Sequence, residues 1–238
     1  ADVVSNISSG FGSTLSSIGI VIALGVMMGK MLEVTGAAKK MAVSILKIVG
    51  VERTEVVLAM AGWLVSIPVF CDSGFVILSE LAKEFSRDTK KSMISLGCAL
   101  GIGLLVTHHL VPPTPGPLAV AATFGVDIGL LIIYGMVISL LILAVALTFA
   151  KHNAKKFEIV IPEADLQAVK FTDEELPGAV ISFAPIIVPV VLILLNTLCS
   201  ALSINNSIVN LVGSPVIAVL IGLLISIYGL ARSKKREE

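Results

Sequence analysis

The sequence predicts an all-α polytopic membrane protein, built from transmembrane helices, a re-entrant helical hairpin and one unwound (broken) span. Of its 238 residues, 56% are hydrophobic and only 14% are charged, whereas a typical soluble domain has roughly 25% charged residues. The mean hydropathy is +1.00. Residues 176–231 contain no charged side chain, and Asp127 is the single charge in residues 92–150. A soluble enzyme and a secreted disulfide scaffold are therefore excluded, and the balanced net charge gives no indication of a nucleic-acid partner.

The first predicted span covers residues 18–34, and the chain enters it through a glycine-rich loop around Phe11. Gly10 and Gly12 lack the βαβ context of a dinucleotide fingerprint, and spaced small residues are common where membrane helices pack closely. Residues 36–53 mix lysines with aliphatic side chains, which is typical of an amphipathic interfacial helix with its basic face toward anionic headgroups. The positive-inside rule places this helix on the cytoplasmic side.

Residues 55–82 are apolar but are interrupted by Pro68 and Asp72. Both flanks are basic and therefore cytoplasmic, so this segment cannot cross the membrane as one helix. We predict a re-entrant hairpin whose two half-helices meet near residues 67–73. Each arm of about 12 residues is about 18 Å long at 1.5 Å per residue, which reaches just past the middle of a hydrocarbon core about 30 Å thick.

The same charge rule orders the rest of the chain, which forms a single membrane domain. The later segments are a broken span at residues 92–127, a span at 128–150, a cytoplasmic loop at 151–176, and spans at 177–201 and 209–231. Four prolines between Pro112 and Pro117 forbid a continuous helix in the broken span. All four basic clusters then lie on one side of the membrane.

Asp72, Ser73 and Gly74 form the first candidate site because they follow a break at membrane depth. Non-helical backbone there is tolerated only in protein or beside an aqueous cavity, and an ionisable group there is a functional hypothesis by default. Asp72 can accept a proton or bind a cation. Ser73 and Gly74 would lie at a half-helix N-terminus, which favours an anion. The alternative is that Asp72 only caps that half-helix.

His108 and His109 mark the second candidate site, next to the prolines of the broken span. Paired breaks in different segments are the best sequence pointer to a transporter's binding site. Histidine titrates near neutral pH, so either residue can carry a proton or donate to an anionic substrate. Adjacent helix positions point in different directions, so we expect one functional and one structural histidine. The sequence offers no third ligand, so neither a metal nor a cofactor is predicted.

These arguments assign roles to particular residues of the two segments. In the hypothesis, the substrate carboxylate lies at half-helix N-termini, hydroxyl and imidazole groups contact the substrate, and an ionisable group takes the coupling proton. The predicted substrate-binding residues are Ser73, Gly74, Thr107, His108, Thr114 and Gly116. The predicted proton-coupling residues are Asp72, His108 and His109.

Three groups of residues carry a resemblance to a known family. They are residues 10–15, 18–21 and 29–30; Ile67-Pro68-Val69-Phe70 with Asp72 and Gly74-Phe75; and Thr107-His108 with Leu110-Val111-Pro112-Pro113 and Pro115-Gly116-Pro117. In these the chain resembles the gluconate permeases, the gluconate:proton symporter (GntP) family of the ion transporter superfamily. Family members are nearly twice as long, so the chain resembles one part of an inverted-repeat transporter. Many family members have a histidine at the position of Thr114, so the role of that histidine is not assigned to this chain.

The resemblance implies secondary active uptake of gluconate or a related sugar acid or hydroxy acid by proton symport, with Na⁺ as the second choice of coupling ion. It also implies a multi-pass protein of the cytoplasmic (inner) membrane of a prokaryote. The expected partners are a small organic anion and the lipid bilayer, and a homo-oligomer stays open. The residues leave two alternatives, an intramembrane enzyme with Asp72 and His108 as an acid–base pair, and a channel-like subunit without catalysis.

Overall fold

The computed structural model describes residues 2–154, 176–204 and 206–230, and every regular element in these ranges is helical. In chain order the helices are α1 (Asp2–Val34), α2 (Ala37–Val49), α3 (Thr54–Val65), α4 (Cys71–Thr89), α5 (Met93–Leu110), α6 (Pro115–Phe124), α7 (Ile128–Ala154), α8 (Ala179–Ala201), α9 (Ser207–Val212) and α10 (Pro215–Ile225). A 3₁₀ turn (Val51–Arg53) precedes α3, and a π-helical turn (Ser226–Leu230) continues α10. Most of the loop predicted at residues 151–176 lies outside the described residues.

Three of the described segments are long and apolar enough to cross a membrane. They are Met93–Phe124, which contains α5 and α6, Ile128–His152 in α7, and Ala179–Ala201, which is α8. The two arms of α1 meet at 54° near residue 17 and make a fourth span if they are counted together. The helices confirm an all-α fold of the membrane type, whereas the re-entrant hairpin and the inverted repeat stay predictions.

The first half of α1 differs from the sequence-based expectation. The chain is helical from Asp2 through Phe11, where a loop was expected. Gly10 and Gly12 are exposed, and a Cβ atom added to either would meet no atom within 4 Å. The expected close packing of these two glycines is therefore absent from the described residues. An uncharged segment satisfies its own backbone groups best as a helix, which explains why two glycines do not unwind it.

The span predicted at residues 209–231 is also divided in the structure. Helix α9 ends at Val212, and α10 starts at Pro215. Proline has no N–H to continue the preceding helix, but it is well suited to the first position of a new one. Asn206 marks the start of α9, where its side-chain oxygen accepts the N–H groups of Ile208 and Val209 at 3.0 and 3.4 Å.

Helix α2 packs one of its faces into the protein core. The fully buried residues on that face are Ala37, Ala38, Met41 and Ala42. Its C-terminal residues Lys47 and Ile48 are exposed. Burial lowers the pKa of Lys39, and the nearby carboxylates of Glu80 and Glu84 act in the opposite direction. The described structure thus has α2 contributing to the core as well as to the surface.

Helices α3 and α5 pack tightly against each other through two glycines. A Cβ atom added to Gly62 would lie 2.8 Å from the carbonyl oxygen of Leu100, and one added to Gly103 would collide with the carbonyl oxygen of Ala59. Small residues allow membrane helices to approach in this way. The indole Nε1 of Trp63 in α3 donates to the hydroxyl of Ser139 in α7 at 2.8 Å, in a buried position. Together these contacts fix α3, α5 and α7 relative to one another.

Candidate functional site

Two non-helical breaks lie side by side and share one cleft. We call residues 66–70, between α3 and α4, the hairpin break, and residues 111–114, between α5 and α6, the proline break. About 270 Å³ of space lies between the atoms that line the cleft, and part of this space is open to the surroundings. Its lining consists of residues 67–70 from the first break, His108, Pro113, Thr114 and Pro115 from the broken span, and Ile22, Gly25 and Val26 from α1.

The hairpin break satisfies part of its backbone locally. The Ser66 hydroxyl donates to the Val69 carbonyl at 3.3 Å, and the Val69 N–H donates to the Val65 carbonyl at 3.2 Å. Pro68 has no N–H to contribute. Phe70 then adopts an extended conformation (φ −59°, ψ 142°) that directs the chain into α4. This local bonding allows a backbone break at a depth where unpaired groups are costly.

The proline break is stabilised in a similar way by Thr114. The Thr114 hydroxyl donates to the Val111 carbonyl at 2.6 Å, and the Val111 N–H donates to the Thr107 carbonyl at 2.9 Å. Thr114 is 5% exposed and lines the cleft. Its hydroxyl hydrogen is used within the break, so toward a ligand the oxygen offers only its lone pairs. Pro115 occupies the first position of α6.

Thr107 lies outside the lining of the cleft. Its side chain is fully buried, and its hydroxyl donates to the carbonyl oxygen of Trp63 at 2.7 Å. This bond ties α5 to the last turn of α3, immediately before the hairpin break. The structure therefore gives the Thr107 hydroxyl a partner within the protein, where the sequence analysis predicted a contact with substrate.

The two histidines have different surroundings. The His108 ring lines the cleft, with its centroid 5.6 Å from that of Phe70 and a tilt of 53°. Its Nδ1 atom is buried and has no hydrogen-bond partner among the described residues. His109 is exposed, and its Nδ1–H donates to the Leu105 carbonyl at 2.8 Å. Of the two histidines, His108 is therefore the one with an unsatisfied buried polar atom, a feature that calls for an explanation.

Asp72 and Ser73 are exposed residues in the first turn of α4, outside the cleft lining. The Cys71 thiol donates to a carboxylate oxygen of Asp72 at 3.6 Å. The residue at the cap position of α4 is Phe70, and not Asp72 as the alternative interpretation proposed. Asp72 follows Phe70 by two residues, and the Phe70 ring lies beside the His108 ring.

Gly74 and Gly116, also predicted to contact substrate, differ in their packing. Gly74 is buried, and a Cβ atom there would lie 2.7 Å from a methyl carbon of Leu104 in α5. Gly116 is exposed, with no atom within 4 Å of an added Cβ. Neither residue lines the cleft, although Thr114 and Pro115 bring the start of α6 to its edge.

The sequence analysis missed the contribution of α1. Ile22, Gly25 and Val26 lie on one helix face and form the third wall of the cleft. One turn later, Gly29 packs so closely on the hairpin break that an added Cβ would lie 2.6 Å from the Pro68 carbonyl oxygen. The spacing of these residues by three and four positions was the available signal, but it is equally typical of ordinary helix packing.

The two ends of the segment that contains the hairpin break are joined by a partly buried ion pair. The Lys91 ammonium lies 2.6 Å from a carboxylate oxygen of Glu55 and also donates to the Glu52 carbonyl at 2.6 Å. Glu55 is in the first turn of α3, and Lys91 follows α4. The chain therefore runs away from this ion pair along α3, turns at the hairpin break and returns to the ion pair along α4.

These features define a polytopic helical membrane protein with a cleft where two broken segments meet a third helix. The sequence profile of the GntP family permeases matches residues 1–238, and the chain belongs to this family. The resemblance found in the sequence is thereby confirmed. Because the family consists of permeases, the prediction that the chain is not an enzyme is confirmed as well.

Curated relatives match nearly the whole of this chain. It is 44% identical to an uncharacterized permease of Haemophilus influenzae, over 96% of this chain and 51% of the relative. It is 33% identical to a gluconate permease of Pseudomonas aeruginosa, over 97% and 53%, and 30% identical to the Gnt-II system L-idonate transporter of Escherichia coli, over 98% and 54%. The chain thus spans about half the length of the curated relatives it matches. No solved structure matches it.

Proposed function

We propose that the intact protein is a secondary active transporter that takes up gluconate or a related sugar acid by proton symport. The observation that carries the proposal is the cleft, in which two backbone breaks meet beside His108, whose buried Nδ1 atom has no hydrogen-bond partner among the described residues. Family membership supports transport, and the names of two relatives, a gluconate permease and an L-idonate transporter, support a sugar acid. The same evidence supports a multi-pass location in a bacterial inner membrane.

His108 is the proposed contact to the substrate inside the cleft. A neutral imidazole nitrogen accepts a hydrogen bond from a substrate hydroxyl, and an N–H donates to a hydroxyl or carboxylate oxygen. Sugar acids carry both kinds of group. The Phe70 ring packs beside the imidazole of His108, with the two centroids 5.6 Å apart. A substrate group that reaches Nδ1 would complete the hydrogen bonding of an atom that the described residues leave unpaired.

The substrate carboxylate is proposed to lie near the starts of α4 and α6. The first N–H groups of a helix lack partners within that helix and attract anions. In the first three positions of α6, Pro115 and Pro117 have no N–H, so Gly116 is the one donor there. Helix α4 begins without a proline and offers more donors, including those of Asp72 and Ser73. The N-terminus of α4 therefore has the larger capacity for the carboxylate.

Asp72 is the proposed carrier of the coupling proton. An unprotonated Asp72 would repel an approaching carboxylate at the start of α4, and protonation removes that repulsion. Its position two residues after Phe70 places it next to an element that lines the cleft. The ion pair between Glu55 and Lys91 supports a re-entrant hairpin, because both ends of the segment reach the same region. In this proposal the hairpin moves against the flanking helices, and a second, inverted half of the intact protein completes the transporter.

The test is uptake of labelled gluconate into membrane vesicles that carry the intact protein. An imposed proton gradient should drive accumulation above the external concentration, and a protonophore should abolish it. Replacing Na⁺ by K⁺ should change nothing. Competition by L-idonate, glycerate and D-serine would rank carboxylates that differ in length and charge. If internal gluconate only reaches the external concentration and does not respond to the proton gradient, the protein is a channel. Accumulation that requires Na⁺ would exclude proton symport.

A further inference from the structure

We propose that Gly25 of α1 limits the size of the substrate that the cleft accepts. Gly25 lines the cleft, opposite the elements that carry the predicted site residues. The inference rests on the proposed function, because it concerns which sugar acids and hydroxy acids fit the same cleft. It assigns to α1 a part in selectivity, although α1 contributes no ionisable group to the cleft lining.

The space around Gly25 is unusual for a buried glycine. Gly25 is buried, yet a Cβ atom added there would meet no atom within 4 Å. The missing side chain therefore leaves room that the described residues do not fill. Since Gly25 lines the cleft, this room is part of the cleft itself.

Close helix packing, the usual reason for a glycine in a membrane helix, does not explain Gly25. At Gly29, in the same helix, an added Cβ would lie 2.6 Å from the Pro68 carbonyl oxygen. At Gly62 it would lie 2.8 Å from the Leu100 carbonyl oxygen. These two glycines allow backbones to approach, whereas Gly25 has no such neighbour. Because Gly25 has no side chain, the cleft is larger than it would be with any other residue at this position.

The α1 wall is held in place on both sides of Gly25. Toward the C-terminus, Gly29 packs on Pro68, and Met28 lies against α10, where its sulfur would be 2.9 Å from a Cβ added to Gly222. Toward the N-terminus, Val21 belongs to a buried cluster with Leu118 of α6. A larger side chain at position 25 therefore cannot be accommodated by a simple outward shift of α1. It would occupy space needed by the substrate.

The expected effect is a change in selectivity by substrate length. One methylene group in a pocket changes discrimination by about 10- to 200-fold. Gly25→Ala should raise the half-saturation concentration for gluconate, which has six carbons, by about tenfold. The same variant should change the half-saturation concentration for the three-carbon glycerate by less than about twofold, because the shorter acid leaves room for the added methyl group. Gly25→Val should increase the gluconate-to-glycerate ratio further.

The experiment measures the ratio of the two half-saturation concentrations for uptake by the intact protein in vesicles. This ratio does not depend on how much protein folds. Gly12→Ala is the matched control, because Gly12 also lies in α1 and also has nothing within 4 Å of an added Cβ, but is outside the cleft. Gly62→Ala controls for packing, because an added Cβ there meets Leu100 and Leu104, which lie outside the cleft lining; it should lower the amount of folded protein without changing the ratio.

The outcomes separate the two proposals. A ratio that rises in Gly25→Ala and not in Gly12→Ala supports the role of Gly25. An unchanged ratio in Gly25→Ala, or an equal change in Gly12→Ala, overturns it while leaving transport of sugar acids intact. If the unaltered protein takes up neither acid, the proposed function itself fails. If Gly25→Val abolishes all uptake, the ratio measured for Gly25→Ala alone tests the role of Gly25.

Discussion

Replacing Ser139 by alanine tests whether the buried bond from Trp63 holds α3 against α7. Ser139 is fully buried, and its hydroxyl accepts the Trp63 Nε1–H at 2.8 Å while donating to the Met136 carbonyl of its own helix at 2.8 Å. Alanine removes little volume but leaves the indole N–H without this partner. Trp63 is 6% exposed, so solvent cannot readily replace the serine.

The expected loss in the free energy of unfolding is about 1–2 kcal/mol. An unsatisfied buried donor costs about 1–3 kcal/mol, and hydrogen bonds between membrane helices average about 0.6 kcal/mol with a maximum of about 1.7. Ser226 provides a matched control, because it is equally buried and its hydroxyl donates to the Leu223 carbonyl of its own turn at 2.7 Å. No described residue donates to it, so Ser226→Ala should cost no more than about 0.5 kcal/mol.

The assay is reversible unfolding of the intact protein in mixed detergent micelles, with both alanine variants compared under one set of conditions. A double-mutant cycle with Trp63→Phe should give a coupling energy of about 0.6–1.7 kcal/mol between positions 63 and 139. Equal destabilisation by Ser139→Ala and Ser226→Ala, or a coupling energy near zero, would refute the idea that this bond fixes the helices beside the hairpin break.

Three further predictions concern charged and polar groups. His108→Gln should weaken gluconate binding about tenfold or more because it alters the unpaired group in the cleft, whereas His109→Gln should change it less than about twofold; equal losses in a competition assay would contradict this. Asp72→Asn should abolish gradient-driven accumulation but preserve exchange of labelled for unlabelled gluconate, so persistent accumulation would exclude Asp72 as proton carrier. Glu55→Gln should cost about 0.2–1 kcal/mol in the unfolding assay, because the pair with Lys91 is partly exposed. Combining it with Lys91→Gln should add only the loss of the Lys91 hydrogen bond to the Glu52 carbonyl.

The positions of both breaks could be predicted because their cause is local and covalent. Pro68 and the prolines from Pro112 to Pro117 lack the N–H groups that a helix needs. The structure interrupts the helices at residues 66–70 and 111–114 accordingly. Charge and the interruptions at Pro68 and Asp72 also predicted a re-entrant hairpin at residues 55–82; the structure has α3 and the first part of α4 there, and the re-entry itself stays a prediction. Composition and covalent chemistry were sufficient for these features.

The roles of individual polar groups could not be predicted, because they depend on neighbours far away in sequence. Thr107 was expected to contact substrate, but its hydroxyl donates to Trp63, 44 residues earlier. His108 and His109 are chemically equivalent in the sequence. Their surroundings differ in the structure, because His109 bonds to the Leu105 carbonyl whereas Phe70 lies beside His108. A hydroxyl or imidazole in an apolar segment marks a place for chemistry without specifying its partner.

Glycine presents the same difficulty in a sharper form, since it has no side chain from which a partner can be inferred. Gly25, Gly29 and Gly62 are indistinguishable as glycines within apolar helices. The structure separates them by what an added methyl group would meet, which is a carbonyl oxygen at Gly29 and Gly62 and empty space at Gly25. A glycine that packs should be intolerant of every larger residue, because a backbone atom cannot move aside. A protein with a larger residue in place of a glycine that faces a cleft should still fold, but its selectivity between substrates should change. Measuring the amount of folded protein and the substrate selectivity of each variant therefore distinguishes the two kinds of glycine.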